Sequence, residues 1–197
     1  MNKIAMKPGT LLAPLPPVLV SCGDMEQSNI ITIGWTGILN TQPAKTYISV
    51  RPERHSYNII KESGEFIINL PCESLVRAVD WCGCRTGSKY DKFAQLKLTK
   101  KLATKVACPQ IDECPITIEC RVTEIVPLGT HDMFVADILA VNIDEKLFDD
   151  KGKIRIEKAH LMAYAHGEYF ALGRRLGSFG CSVKKKRKAP PKNKKGK

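Results

Sequence analysis

The sequence predicts one domain rich in β-structure, made of many short strands with a few helices between them. Residues 115–126 show this most clearly. There Ile116, Ile118, Cys120 and Val122 alternate with Thr117, Glu119, Arg121 and Thr123, the period of a strand with one buried face. Shorter runs rich in β-branched and aromatic residues recur at 18–21, 30–36, 46–50, 65–70 and 133–142, several of them bounded by Pro, Gly or Asn. Together these runs suggest a barrel or a sandwich. A closed antiparallel barrel satisfies most sheet edges and fits better than alternating βαβ units.

In chain order, the strand at 18–21 follows a segment whose apolar character is broken by Pro14, Pro16 and Pro17, which argues against a secretory leader. After the strand at 46–50, Arg51, Pro52, Glu53 and Arg54 open a helix expected to run to about Glu62, with Pro52 in its first turn and Gly64 as its stop. The strand at 65–70 ends at Pro71. A second helix is expected over 73–80, with Leu75, Val76 and Val79 as its apolar stripe and Gly83 as its terminator. No repeat of solenoid length is present.

At 197 residues, 43% of them hydrophobic, the chain can bury a sizeable core, and 1–183 is expected to fold as one domain. The formal net charge of +11 resembles that of a nucleic-acid binder until it is located. Nine of the 31 Lys and Arg residues lie in 184–197 without a single acid, which leaves 22 against 20 acids in the body. That tail has no aromatic residue and is expected to be disordered, offering at most a salt-sensitive attraction to nucleic acid or acidic surfaces. No apolar stretch approaches the roughly 20 residues of a membrane-spanning helix. A cytoplasmic protein without a membrane partner is the expectation, its eight cysteines read first as buried thiols.

Two segments offer chemistry. From Ser49, Val50 and Arg51 to Ser56 a strand leads straight into a helix whose first-turn amides lack intrahelical acceptors; Ser56 adds a hydroxyl and Arg51 or Arg54 a charge. Such a junction can hold a phosphate, or it can be simply a helix start. The loop of Thr86, Gly87, Ser88, Lys89, Tyr90, Asp91, Lys92 and Phe93 can close over the same anion, or it can be an exposed basic loop leading to a short helix capped near Asp91.

The combination is more specific than its parts. Asn29 is followed by Thr32, Gly34, Trp35, Thr36 and Gly37, then by the Ser49 to Ser56 junction, then by Phe66, Asn69 and Pro71, and finally by Gly87, Asp91, Lys92 and Phe93. This order and spacing closely resembles the flavin reductase-like FMN-binding split-barrel family, and within it the flavoredoxins, over about 14–180. The resemblance implies a six-stranded antiparallel split β-barrel of Greek-key type that works as a homodimer, with non-covalent FMN near the interface. It implies that Asn29, Trp35 and Thr36 line the isoalloxazine or ribityl, that Ser56 and Lys92 bind phosphate with help from Arg54 and Lys89, and that His131 and Tyr164 complete the pocket. Ser49, Val50, Arg51, Asn69 and Ser88, from the same motifs, fill out the implied cofactor-binding set. The implied activity is an FMN-dependent oxidoreductase cycling electrons between a reduced donor, NAD(P)H or a redox protein, and a flavin, ferric chelate or protein acceptor. A pure electron carrier would share the same barrel.

The remaining motifs narrow the chemistry. No Gly-x-Gly-x-x-Gly follows a strand, so any NAD(P)H must dock transiently. Cys82 and Cys84 have one residue between them, unlike the Cys-x-x-Cys of redox and zinc motifs, and Cys108, Cys114 and Cys120 form no knuckle, so no structural metal is expected. His55, His131, His160 and His166 lack the spacing of helical metal sites. A redox role for a thiol beside the flavin stays open at this point.

Overall fold

The computed structural model describes residues 1–183; the tail 184–197, expected to be disordered, lies outside the described residues. The chain forms β1 (Val18–Gly23), β2 (Ser28–Ile33), β3 (Thr36–Thr41), β4 (Ala44–Val50), α1 (His55–Ser63) and β5 (Glu65–Leu70). A 3-10 turn at Glu73–Leu75 leads into α2 (Val76–Cys84), followed by α3 (Lys92–Leu96) and the short strands β6 (Lys100–Lys101) and β7 (Gln110–Ile111). The long strands β8 (Ile116–Pro127) and β9 (Asp132–Ile143) come next, and the hairpin of β10 (Met162–Ala165) and β11 (Glu168–Ala171) closes the series.

Seven strands make the main antiparallel sheet, in the order β2-β1-β5-β8-β9-β4-β3. The six expected strands become seven because the run at 30–36 is broken. Gly34 and Trp35 carry the chain from β2 at one edge to β3 at the other, so the sheet curls round on itself and is split between these edges. The Ser49 amide donates to the Trp35 carbonyl at 3.0 Å, and β2 comes up to β4 across the split.

Val18, Val20, Cys22, Ile31, Ile33, Ile48, Val50, Phe66, Ile68 and Phe134 fill the barrel, and α1 adds Tyr57 and Ile60. The opposite face of β1, β2 and β5 is covered as well. Leu19 and Ile30 meet Val79, Cys82, Phe93 and Ile111 from the helices and the segment after them. This second layer explains why β1 reads as a continuous apolar run rather than an alternating one.

It also corrects the reading of β8. Thr117 and Glu119 are as buried as Ile116 and Cys120, because the segment 99–114 folds over them. Glu119 accepts from the amides of Thr104 and Lys105, from the Thr104 hydroxyl and from Asn142 Nδ2.

Both helix boundaries move. Arg51 to Arg54 form a separate turn, with the Arg54 amide bonded to the Arg51 carbonyl at 3.0 Å, so Pro52 precedes α1 rather than opening it. The expected stop holds: Gly64, at φ 67°, closes α1 by donating to the Ile60 carbonyl at 2.9 Å. Gly83 does not end α2, which continues to Cys84. A Cβ at Gly83 would lie 3.4 Å from Thr32 Cβ, an ordinary contact distance, so α2 packs directly on β2 at this position. No helix among the described residues is long and apolar enough to cross a membrane.

Candidate functional site

The split in the barrel opens into a cleft of about 380 Å³. One wall is the end of β2 from Ile31 through Gly34 and Trp35, a second is Ser49, Val50 and Arg51 leaving β4, and a third is Asp80, Gly83 and Cys84 on α2. Tyr164 and Tyr169 complete it from the β10–β11 hairpin. His166 and Gly167, at φ 49° and 94°, form a two-residue connection of the kind that pairs twisted strands tightly. Leu15 exchanges two backbone hydrogen bonds of 2.8 Å with Tyr164, which ties the hairpin to the chain entering β1.

A smaller pocket of about 110 Å³ adjoins the cleft, and Ile31, Arg54 and Gly83 line both. Its lining is rich in cations and hydrogen-bond donors, with Glu53 as its one acid among the described residues. Ser56 and His55 come from the first turn of α1, whose amides lack intrahelical acceptors, and Lys92 comes from the first position of α3. Arg85, Thr86 and Gly87 form the rim. Asn29 Nδ2 donates to Ser56 Oγ at 2.7 Å, so two buried side chains of the pocket are locked together.

Lys92 is only 2% exposed. Its ammonium donates to the carbonyls of Ile30 at 2.7 Å and Cys82 at 2.8 Å. The first is on an edge strand and the second lies in the last turn of α2, where carbonyls lack helical donors. Burial pulls the Lys92 pKa below its usual value, a shift opposed by Cys82 and Cys22 and assisted by Arg54. An ammonium has three N–H donors, so two carbonyls do not exhaust it.

Gly87 is required by close approach, since a Cβ there would lie 2.2 Å from Asn29 Oδ1. Because Asn29 is buried and bonded to Ser56, it has little room to yield. Gly87→Ala is expected to destabilise the protein by about 1–3 kcal/mol, the usual cost of overpacking, measurable as a lower urea midpoint. An unchanged midpoint would mean that the loop simply moves outward.

At the cleft, the rings of Trp35 and His131 lie 4.6 Å apart, and Trp35 keeps 38% of its surface exposed. Burial first, then the charge of Arg51, lowers the His131 pKa from its ordinary value; its Nδ1 is 3.0 Å from the Thr130 hydroxyl.

Of the residues expected from sequence, Trp35, Ser49, Val50, Arg51, Arg54, His131 and Tyr164 line the cleft, while Asn29, Arg54, Ser56 and Lys92 line the pocket. Four do not line either. Asn69 points to the outer face of β5, where its amide donates to Leu19 O and Ser21 Oγ and its oxygen accepts from the Ile111 amide. Its parity on the strand, one residue after the barrel-facing Ile68, decides this. Thr36 Oγ1 is bonded to the Tyr47 carbonyl at 2.6 Å. Ser88 and Lys89 are exposed in the turn beyond Gly87, with Ser88 Oγ against Thr86 Oγ1 at 3.0 Å.

Sequence reasoning missed Asp80 and Arg85 on and after α2, and Tyr169, and weighed Cys84 only as a possible redox thiol together with Cys82. Gly83 and Cys84 lie three and four residues after Asp80, the spacing of one helix face, a signal legible once the helix is known to run through Gly83. Tyr169 is placed by its pairing opposite Tyr164.

A model of the flavin reductase like domain matches residues 11–173. The chain belongs to the flavin reductase-like domain family. Among solved structures, flavoredoxin of Desulfovibrio vulgaris (Miyazaki F) is similar at a TM-score of 0.86 and 32% identity, over 93% of this chain and all of that one. An uncharacterized protein of Archaeoglobus fulgidus is 33% identical over 159 residues, 81% of this chain and 88% of the relative. The NADPH-flavin oxidoreductase of Streptomyces viridifaciens is 22% identical over 158 residues, 74% of this chain and 80% of the relative. The fold is thus the split barrel of the flavin reductase-like proteins.

All eight cysteines are free thiols, seven of them within the flavin reductase-like domain and Cys181 beyond it. Cys82 and Cys84 face different cavities, Cys82 the small pocket and Cys84 the cleft. Burial pushes the Cys82 and Cys22 thiols up to about 11, which keeps them protonated at neutral pH. Among the described residues no three His, Cys, Asp or Glu side chains gather as metal ligands, and His160 is engaged with Glu73 at 3.4 Å.

Proposed function

We propose that the protein binds FMN without a covalent bond and passes electrons between a reduced donor and an acceptor. The observation that carries this reading is the junction of two cavities of unlike chemistry, an aromatic-walled cleft of about 380 Å³ and a cationic pocket of about 110 Å³ sharing Arg54. A flavin mononucleotide is divided in the same way, into a planar ring system and a single phosphate.

Bound there, the flavin supplies the electron chemistry. The residues of this chain do the holding. Lys92, Ser56, Arg54 and the first-turn amides of α1 bind the phosphate, with charge-assisted hydrogen bonds contributing most. The Trp35–His131 pair covers part of a ring face. Ile31, Ile33 and Val50 exclude water beside it. NAD(P)H, for which no dedicated nucleotide fold exists in the described residues, docks transiently in the open cleft.

The assembly is proposed to be a homodimer with the cleft near its interface. Edge strand β3 supports this by exposing Ile38 (66%) and Leu39 (47%) next to Trp35, apolar surface that a second copy would cover. A monomer in solution by light scattering would remove the dimer and leave the cofactor assignment standing.

The purified protein should be yellow, and apoprotein should take up one FMN per chain. A colourless protein that ignores added FMN would end the proposal. Oxidation of NADH and NADPH with FMN, FAD and ferric acceptors then separates a reductase from a carrier: turnover with a nicotinamide donor identifies the reductase, and a bound flavin reduced only by a protein donor identifies the carrier.

A further inference from the structure

We infer that Asp80 makes the open end of the cleft selective for neutral and cationic electron acceptors over polyanionic ones. The inference rests on the proposed flavin site and names the class of small molecule served there. Asp80 is the only acidic side chain on the cleft wall among the described residues, and the cations of that wall are Arg51 and Arg54. Both cations have other engagements: Arg51 is 3.5 Å from Glu53, and Arg54 also borders the phosphate pocket, where a bound phosphoryl group offsets its charge. With that group in place, the charge left facing an entering molecule is the Asp80 carboxylate.

The carboxylate has one neighbouring donor. Tyr169 donates its hydroxyl to Asp80 Oδ1 at 3.4 Å, and the Tyr169 ring packs against Tyr164 with centroids 5.3 Å apart. Burial above all, then the Asp80 charge, pushes the Tyr169 phenol up to about 12, so it remains a donor throughout the neutral range. Asp80 belongs to α2, packed on β2 at Gly83, while Tyr169 belongs to the paired hairpin, so the exposed carboxylate stands where two elements meet. Two tyrosine rings and one acid form a wall suited to flat neutral or positively charged molecules.

The test uses full-length holoprotein, reduced anaerobically and mixed by stopped flow with ferricyanide or with hexaammineruthenium(III). Each flavin oxidised delivers two electrons to two equivalents of acceptor and releases its protons to solvent. Asp80→Asn keeps the shape of the side chain and an oxygen for Tyr169 while removing the charge. Coulomb's law for a trivalent ion within a screening length of one carboxylate gives about a threefold effect at 0.1 M ionic strength. The variant should therefore react about threefold faster with ferricyanide and about threefold slower with the ruthenium complex, both differences fading at about 0.5 M salt. FMN affinity of both apoproteins, read by fluorescence titration, sets the FMN concentration at which the two are compared fully loaded. Rates that move together for the two acceptors, or rates that do not move, would each overturn the inference. Failure of the unmodified protein to take up FMN would instead remove the cofactor reading and this inference with it.

Discussion

Lys92→Met should lose FMN. Loss of one charge-assisted contact to a phosphate costs about 2–3 kcal/mol, or roughly a hundredfold in affinity, measurable by fluorescence titration of the apoprotein. Ser56→Ala, which removes a neutral hydroxyl, should cost about 1 kcal/mol, or roughly fivefold. The lysine substitution also strips the Ile30 and Cys82 carbonyls of their donor, so a lower melting temperature is expected of the apoprotein as well. Ser56→Ala leaves those two carbonyls bonded but takes the acceptor from the buried Asn29 amide, so its melting temperature is read beside its FMN affinity. The pH dependence has a definite sign. Binding of a phosphate favours the charged ammonium, and burial lowers the Lys92 pKa from 10.5. Affinity should therefore fall as pH rises through that lowered value, beginning below pH 10.5, and Lys92→Met should lack this slope. FMN held equally well by wild type and Lys92→Met would refute the phosphate assignment.

Glu119→Ala should be among the most destabilising single changes in the barrel. The carboxylate is fully buried on β8 and accepts four hydrogen-bond donors, two of them main-chain amides of the segment that covers it. Removing an ionised acceptor with such partners costs about 3 kcal/mol, which for a chain of this size lowers the melting temperature by about 10 °C. Burial raises the pKa of Glu119, yet its hydrogen bonds outweigh burial and hold it below 4.5. A depressed carboxyl pKa contributes stability that is present above 4.5 and lost as the pH falls through the folded value. The alanine variant should thus show a flatter loss of stability in acid than the parent. A melting temperature within 2–3 °C of the parent, about 1 kcal/mol for a chain of this length, would show that the Thr104 and Lys105 amides find other acceptors.

Local pattern carried much of the architecture. The strand expected at 65–70 is β5, that at 115–126 is β8 within a residue at each end, and Gly64 caps α1 as expected. Three features escaped. β3 carries Ile38 and Leu39 on an exposed edge, so its strand pattern lacks a buried face. The β10–β11 hairpin is too short for periodicity and forms where Leu15 offers it backbone partners. Glu119 alternates like a solvent-facing residue because only a segment ten or more positions away buries it.

The candidate site divides along the same line. Residues close in sequence, Ser49 to Ser56, announce a strand-to-helix junction with cations and a hydroxyl, because consecutive residues share one local geometry. Asn69 and Thr36 lie in equally characteristic motifs but are directed away from the cleft by strand parity and by the Tyr47 carbonyl. What the amino-acid order determined alone was most strands of the main sheet, the stop of α1 at Gly64 and the presence of cationic and hydroxyl groups beside a strand-to-helix junction, all set by backbone propensity and short-range periodicity. What only the tertiary structure decided was which groups meet. Lys92 reaches the head of α1 because it caps α2 and the edge of β2, and Asp80 meets Tyr169 because α2 packs against the final hairpin. Such meetings depend on long-range packing, whose energy is spread over the whole barrel and leaves no local mark in the chain.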